Sequence, residues 1–262
     1  GTGKTLWTYE DKWGASYASP VVTTLHGKPV ALVIAAGESK PAHGGLLVLG
    51  AEDGKLLARF PWRADIYESV LAATPLVLSD NRVLISDCYE KGAALLEFDK
   101  EFKIKLVWSE PAFGLHWMMP IPLGDHLYGF AGRNPPDTQF KCVSLKTGEI
   151  VWADDMRRQV PAPPNPRRPK APARLMNEGL FRGSLLKAGE RIFALGEDGI
   201  FVELKLTPEG PETLQKTRLF TAREAWTLPA LHNGLLYVVQ NTDDPRSGKE
   251  KRLLCFDLRK QQ

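Results

Sequence analysis

The chain has 262 residues, with 34 Lys and Arg against 31 Asp and Glu, for a formal net charge of +3. So small an excess excludes a general nucleic-acid binder, and 43% hydrophobic residues beside 25% charged ones exclude a disordered chain. No run reaches the roughly eighteen apolar residues of a membrane helix, while 23 Gly and 20 Pro ask for a fold with many turns.

Gly1–Glu10 reads as a strand ending in Trp7, preceded by a Thr-Gly turn. Ser19-Pro20-Val21-Val22 is a short apolar segment around Pro; the turn His26-Gly27 and the apolar run Pro29–Gly37 follow. Leu46–Trp62 then gives two strands about the turn Asp53-Gly54, with Trp62 at the end. The same order returns with Pro75, the turn at Asp80-Asn81, Arg82–Asp87, and Ala94–Trp108, which keeps the Asp and Trp of the pattern but loses its Gly. It returns again with Pro120, Gly124-Asp125, His126–Gly132, and Phe140–Trp152 about the turn Thr147-Gly148. Gly183-Ser184-Leu185-Leu186 fills the Pro slot without Pro, ahead of Arg191–Gly199 and Ile200–Phe220; Pro229, Leu235–Asn241 and Leu253–Leu258 close the series. Glycine supplies the positive φ that such hairpin turns need.

The slots at Pro20, Pro75, Pro120, Ser184 and Pro229 are 55, 45, 64 and 45 residues apart. Units of four short strands at this period are the blades of a β-propeller. The chain is therefore read as all-β: a single propeller domain over 1–262 with about five four-stranded antiparallel blades. Two endings stay open. Residues 1–10 complete the last blade and close the ring, or the chain is part of a larger ring of roughly seven or eight blades, with further blades and a signal peptide upstream; the second is preferred.

Arg157–Met176 breaks the period. It holds six Pro, six basic residues (Arg157, Arg158, Arg167, Arg168, Lys170, Arg174) and no acid. It reads as an extended insert of polyproline II character between the third and fourth blades, a solvated loop or a dock for an anionic partner.

"TGKTLW" at Thr2–Trp7, "SLKTGEIVW" at Ser144–Trp152, "ASPVV" at Ala18–Val22, "ATPLV" at Ala73–Val77 and "RLLCFDL" at Arg252–Leu258 resemble the PQQ-like repeat. The family that shares it holds quinoprotein alcohol dehydrogenases and assembly lipoproteins of the BamB type. The resemblance implies that Trp7, Trp108 and Trp152, and less directly Trp62, dock one blade on the next. It also implies a cell-envelope location, periplasmic or extracellular.

In the family's enzymes, adjacent cysteines form a disulfide that stacks on PQQ beside a bound Ca²⁺. Here Cys88, Cys142 and Cys255 lie far apart and read as buried free thiols. No catalytic residue, metal ligand or cofactor is therefore expected, and a PQQ- and Ca²⁺-dependent oxidoreductase, or a degenerate relative that retains the pocket, is kept as the alternative. "GTGKT" at the start has the look of a phosphate loop, but no strand and helix flank it.

In a propeller the loops leading into each blade and those between its second and third strands gather at the mouth of the central funnel, where a ligand is most readily met. Those loops carry Trp13, Tyr17, Tyr67, Tyr89, His116, Trp117, Arg133, Arg182 and Trp226. Aromatic and Arg side chains on one concavity are the usual make-up of a recognition surface. The expected function is a non-catalytic binding or scaffold module with a protein or small ligand on this face, without specific nucleic-acid binding. A simple plug of the funnel is the other reading of the same aromatics.

Overall fold

The structure is a computed structural model and describes residues 2–67, 69–161, 172, 175–245 and 247–259. Blade 1 is β1 (Val21–Leu25), β2 (Lys28–Ser39), β3 (Ala42–Gly50) and β4 (Leu56–Pro61). Blade 2 is β5 (Leu76–Ser79), β6 (Arg82–Asp87), β7 (Gly92–Phe98) and β8 (Ile104–Glu110). Blade 3 is β9 (Ile121–Leu123), β10 (His126–Ala131), β11 (Gln139–Ser144) and β12 (Ile150–Asp154). After a separate hairpin of β13 (Arg157–Pro161) and β14 (Leu175–Gly179), blade 4 is β15 (Ser184–Ala188), β16 (Arg191–Leu195), β17 (Ile200–Thr207) and β18 (Gly210–Arg218). Blade 5 has β19 (Ala230–His232), β20 (Leu235–Gln240) and β21 (Arg252–Asp257), three strands among the described residues.

Every blade is an antiparallel meander in chain order. In blades 1 to 4 the second and third strands are largely buried on both faces, which is why they read as near-continuous apolar runs; in blade 5, β21 is buried on one face only. Odd and even positions of the same strand enter different cores. Val30, Leu32, Ile34, Leu46 and Val48 of blade 1 pack with Val83, Ile85, Ala94 and Leu96 of blade 2, while Ala31, Ala35, Leu47 and Leu49 point to the opposite side. Further shared cores join blade 2 to 3, 3 to 4 and 4 to 5. The hydrophobic core thus sits in the seams.

Three of the four blade-to-blade seams, and the contact of the N-terminal segment with blade 1, carry a hydrogen bond from an indole; the seam of blades 4 and 5 holds the buried ring of Phe220 instead. Trp7 Nε1 donates to the Ala51 carbonyl at 3.0 Å, Trp62 Nε1 to Gly92 at 3.1 Å, Trp108 Nε1 to Leu145 at 2.9 Å and Trp152 Nε1 to Thr207 at 3.0 Å. In three of the four the acceptor is in the turn between the third and fourth strands of the following blade. Gly54 and Gly148 in those turns have φ of 69° and 80°. A Cβ on Gly54 would meet the Trp7 ring at 2.5 Å, and one on Gly148 would meet Trp108 at 2.7 Å. The turn glycine therefore does two jobs: it takes the left-handed conformation, and it leaves room for the ring.

The first seam is built the other way round. Ala58 stands four residues after Gly54, where Trp7 and Trp152 stand four after Gly3 and Gly148. In compensation, the next blade's turn carries Phe102 at φ 63° in place of glycine, buried in the core against which Ala58 packs. A large ring from the turn fills the space left by a small residue on the strand.

Two readings of the sequence are corrected. Residues 2–10 are not a strand: among the described residues they pair with no third strand, and the ladder groups of a lone extended segment go to water. Cys255 is an exposed thiol, on a face of β21 that no further strand or blade covers among the described residues; Cys142 is buried and Cys88 partly so. The ends of the Arg/Pro insert form the paired strands β13 and β14, and Arg167, Arg168, Lys170 and Arg174 lie outside the described residues.

Replacing Trp108 by Ala removes a buried ring and a seam hydrogen bond and is expected to cost about 3–5 kcal/mol in a urea titration; a loss below about 1 kcal/mol would contradict the seam role. Ala58→Trp alone should destabilise by about 1–3 kcal/mol through overpacking. In a Phe102→Gly background the same change should be neutral or stabilising. Equal costs in both backgrounds would show that the two positions do not share one space.

Candidate functional site

The loops that lead into blades 3, 4 and 5 meet the loops between second and third strands of blades 2, 3 and 4. Tyr89 follows β6, and its hydroxyl is hydrogen-bonded to His116 Nε2 at 3.1 Å, with the two rings edge to face at 5.5 Å. His116 packs against Trp117 with ring centres 4.3 Å apart and planes tilted by 44°, and Trp117 against Trp226, which leads into blade 5, at 4.5 Å and 42°. Four rings from three blades' loops thus form one row.

Two guanidinium groups lie on this row. Arg182 is 5.3 Å from the Trp117 ring centre and 4.8 Å from that of Trp226. Arg133 lies over Tyr89 at 4.9 Å. Arg182 is buried and pairs with buried Glu197 at 2.8 Å; its Nη1 donates to Asn134 Oδ1 at 3.0 Å. Glu197 Oε2 also accepts from Trp226 Nε1 at 3.0 Å. One carboxylate therefore fixes both the cation and the ring it covers. Cation–π contacts of this kind gain strength when desolvated.

A second buried network braces the row from below. Asp87 at the end of β6 accepts from the Ala64 N–H at 3.0 Å and faces Arg63 at 3.8 Å, and Arg63 Nη2 donates to the Ser69 carbonyl at 2.7 Å. Burial raises the Asp87 pKa, against the opposing pull of these donors. Burial also lowers the pKa of His116 to about 4, helped by the positive charges of Arg182 and Arg133, so the imidazole is neutral at pH 7. The Cys88 thiol beside this network is pushed up to about 12 by burial and by the Asp87 charge, so it stays protonated at neutral pH.

Of the loop residues singled out in the sequence, Tyr89, His116, Trp117, Arg133, Arg182 and Trp226 come together. The other three do not join them. Trp13 packs on the outer face of blade 1 under Arg59, at 4.7 Å, and Arg59 pairs with Asp11. Tyr17 and Tyr67 stand 80% and 75% exposed. Glu197 was not singled out. It sits in the same kind of loop as Tyr89 and Arg133, so position could have flagged it, but an acid in "GEDG" looks like any turn residue. Among the described residues no group of three or more His, Cys, Asp or Glu is gathered as a metal would need.

The base of the insert is fastened to both neighbouring blades. Arg157 donates to the Pro136 carbonyl and to the Thr138 carbonyl, while Glu178 pairs with Lys216 and with Arg218, the latter at 3.0 Å. A cavity of about 410 Å³ lies between the stem and β18, lined by Arg157, Arg158, Glu178 and Lys216.

A family model described as outer membrane protein assembly factor BamB matches residues 1–154. Among solved structures, BamB from Moraxella catarrhalis is similar with a TM-score of 0.54 at 15% identity, over 90% of this chain and 60% of that one. Sqt1 from Saccharomyces cerevisiae is similar with a TM-score of 0.52 at 12% identity, over 90% of this chain and 62% of that one. The chain thus spans less than two thirds of either, and at these identities the likeness shows the fold alone. No curated protein matches.

Because its folded pKa lies below the unfolded value, His116 binds a proton more readily in the unfolded chain. Its contribution to stability is complete above about pH 6.5, is lost as pH falls toward about 4, and is constant below that. The melting temperature should therefore fall less steeply between pH 6.5 and 4 for His116→Gln than for the parent protein. Parallel curves would show that His116 is not held neutral.

Proposed function

The chain belongs to the BamB-type family of PQQ-like-repeat β-propellers, and from that premise we propose that it is a binding or scaffold module of a bacterial cell envelope, with the row of rings and guanidinium groups as its recognition surface. The family supports a protein partner and an envelope location. The observation that carries the proposal is the Arg182–Glu197–Trp226 arrangement: a buried ion pair that fixes a large ring which is itself 38% exposed at the loop face.

A core plug would bury that ring. Here the bonding capacity of Glu197 is used to orient Trp226 while part of the ring stays exposed. Rigid aromatic anchors of this kind, flanked by Arg, dominate binding energy at protein interfaces. Their pre-organisation lowers the entropic cost of association.

Cross-linked capture from envelope fractions, parent protein against Trp226→Ala, tests this. Loss of the captured proteins by a variant that still unfolds cooperatively is the expected outcome. Undiminished capture would place the interface elsewhere. Reduction of an artificial electron acceptor after addition of PQQ and Ca²⁺ would overturn the non-catalytic reading in favour of a quinoprotein oxidoreductase.

A further inference from the structure

The charges along the row are not balanced evenly. At the Trp226 end, Arg182 is neutralised by Glu197, and a second acid, Glu224, lies 3.7 Å from it. In the network below, Arg63 faces Asp87. At the other end Arg133 is exposed, has its guanidinium carbon 4.9 Å from the centre of the Tyr89 ring, and among the described residues has no carboxylate within ion-pair distance. Its charge reaches inward as far as His116.

A guanidinium packed against a ring keeps its N–H edge free for forked bonding to a carboxylate, with little rotamer freedom left to lose. The row therefore offers an unpaired cation at one end and a partly exposed indole beside two acids at the other. A polyanion with charge on every unit would meet Glu197 and Glu224 at the Trp226 end and be repelled there. A ligand with one negative group, followed at a distance by an apolar one, meets no such conflict.

We propose that the row takes an extended segment of a partner protein, with a carboxylate forked on Arg133 and a large apolar side chain on the exposed part of Trp226. The proposal rests on the recognition-surface reading above and adds the polarity of what is recognised. The ring-to-ring steps of 5.5, 4.3 and 4.5 Å from Tyr89 to Trp226 set an upper limit on the span, which about four extended residues cover. The acid and the apolar residue should be at most that far apart.

The test is fluorescence anisotropy at low salt with the full chain and a labelled decapeptide of Gly and Ser carrying one Glu and, four residues later, one Phe. Saturable binding is expected, weakened about tenfold or more by Glu→Gln in the peptide or by Arg133→Gln in the protein. The two changes together should cost no more than either alone, as for a single shared contact. Arg133 is exposed, so the variant should keep its melting temperature.

No saturable binding, an equal affinity for the Gln peptide, an effect of Arg133→Gln below about twofold, or equal competition by polygalacturonate would each overturn the proposal. Trp226-dependent capture of envelope proteins that survives such a result would leave the recognition surface standing and remove only its preference for acids.

Discussion

An indole N–H that crosses from one sheet to a backbone carbonyl of the next is the contact on which this molecule depends. A four-stranded sheet that is apolar on both faces cannot hide both by itself, so each blade is stable only against its neighbour. Area burial alone is indifferent to small slides of one greasy sheet over another. The hydrogen bonds from Trp7, Trp62, Trp108 and Trp152 are directional and remove that freedom. The positive-φ glycine beneath the ring, at Gly54 and Gly148, lets the turn come close enough to be the acceptor.

Fixed seams have a consequence at the loop face. Side chains in the row come from loops of four blades, and ring-to-ring distances of 4.3 to 5.5 Å tolerate little relative movement. The Arg182–Glu197 pair completes the task locally. Burying an ion pair is often no gain in stability, and here its geometry suggests a different use: Glu197 holds both the guanidinium and the Trp226 indole. The cost of desolvating the pair is offset in part by those extra hydrogen bonds and secures the placement of one ring.

About blade 1 the same logic explains an apolar surface that the N-terminal segment covers. Ala31, Ala35, Leu47 and Leu49 face away from blade 2 and are covered by Trp7, Tyr9 and Trp13 from the N-terminal segment. A cavity of about 880 Å³ remains between that segment and the sheet. An extended segment without ladder partners covers a blade face less completely than a sheet does. Trp13, read from sequence as a funnel residue, is drawn to this surface instead.

Features that repeat along the chain were legible without coordinates. The period of the Pro slots, the alternation in the strands and the Thr-Gly turns ahead of Trp7 and Trp152 express constraints that every blade meets, so each copy supports the reading of the others. The sequence also marked the loops that would carry aromatic and Arg side chains. Whatever occurs once came from the packing of blades: that Phe102 and Ala58 exchange the roles of ring and gap, that Glu197 answers Arg182, that Arg133 has no carboxylate within ion-pair distance among the described residues, and which of nine loop residues meet. Those outcomes depend on distances between loops far apart in the chain, fixed by blade-to-blade rotation, and no local pattern of residues encodes that rotation.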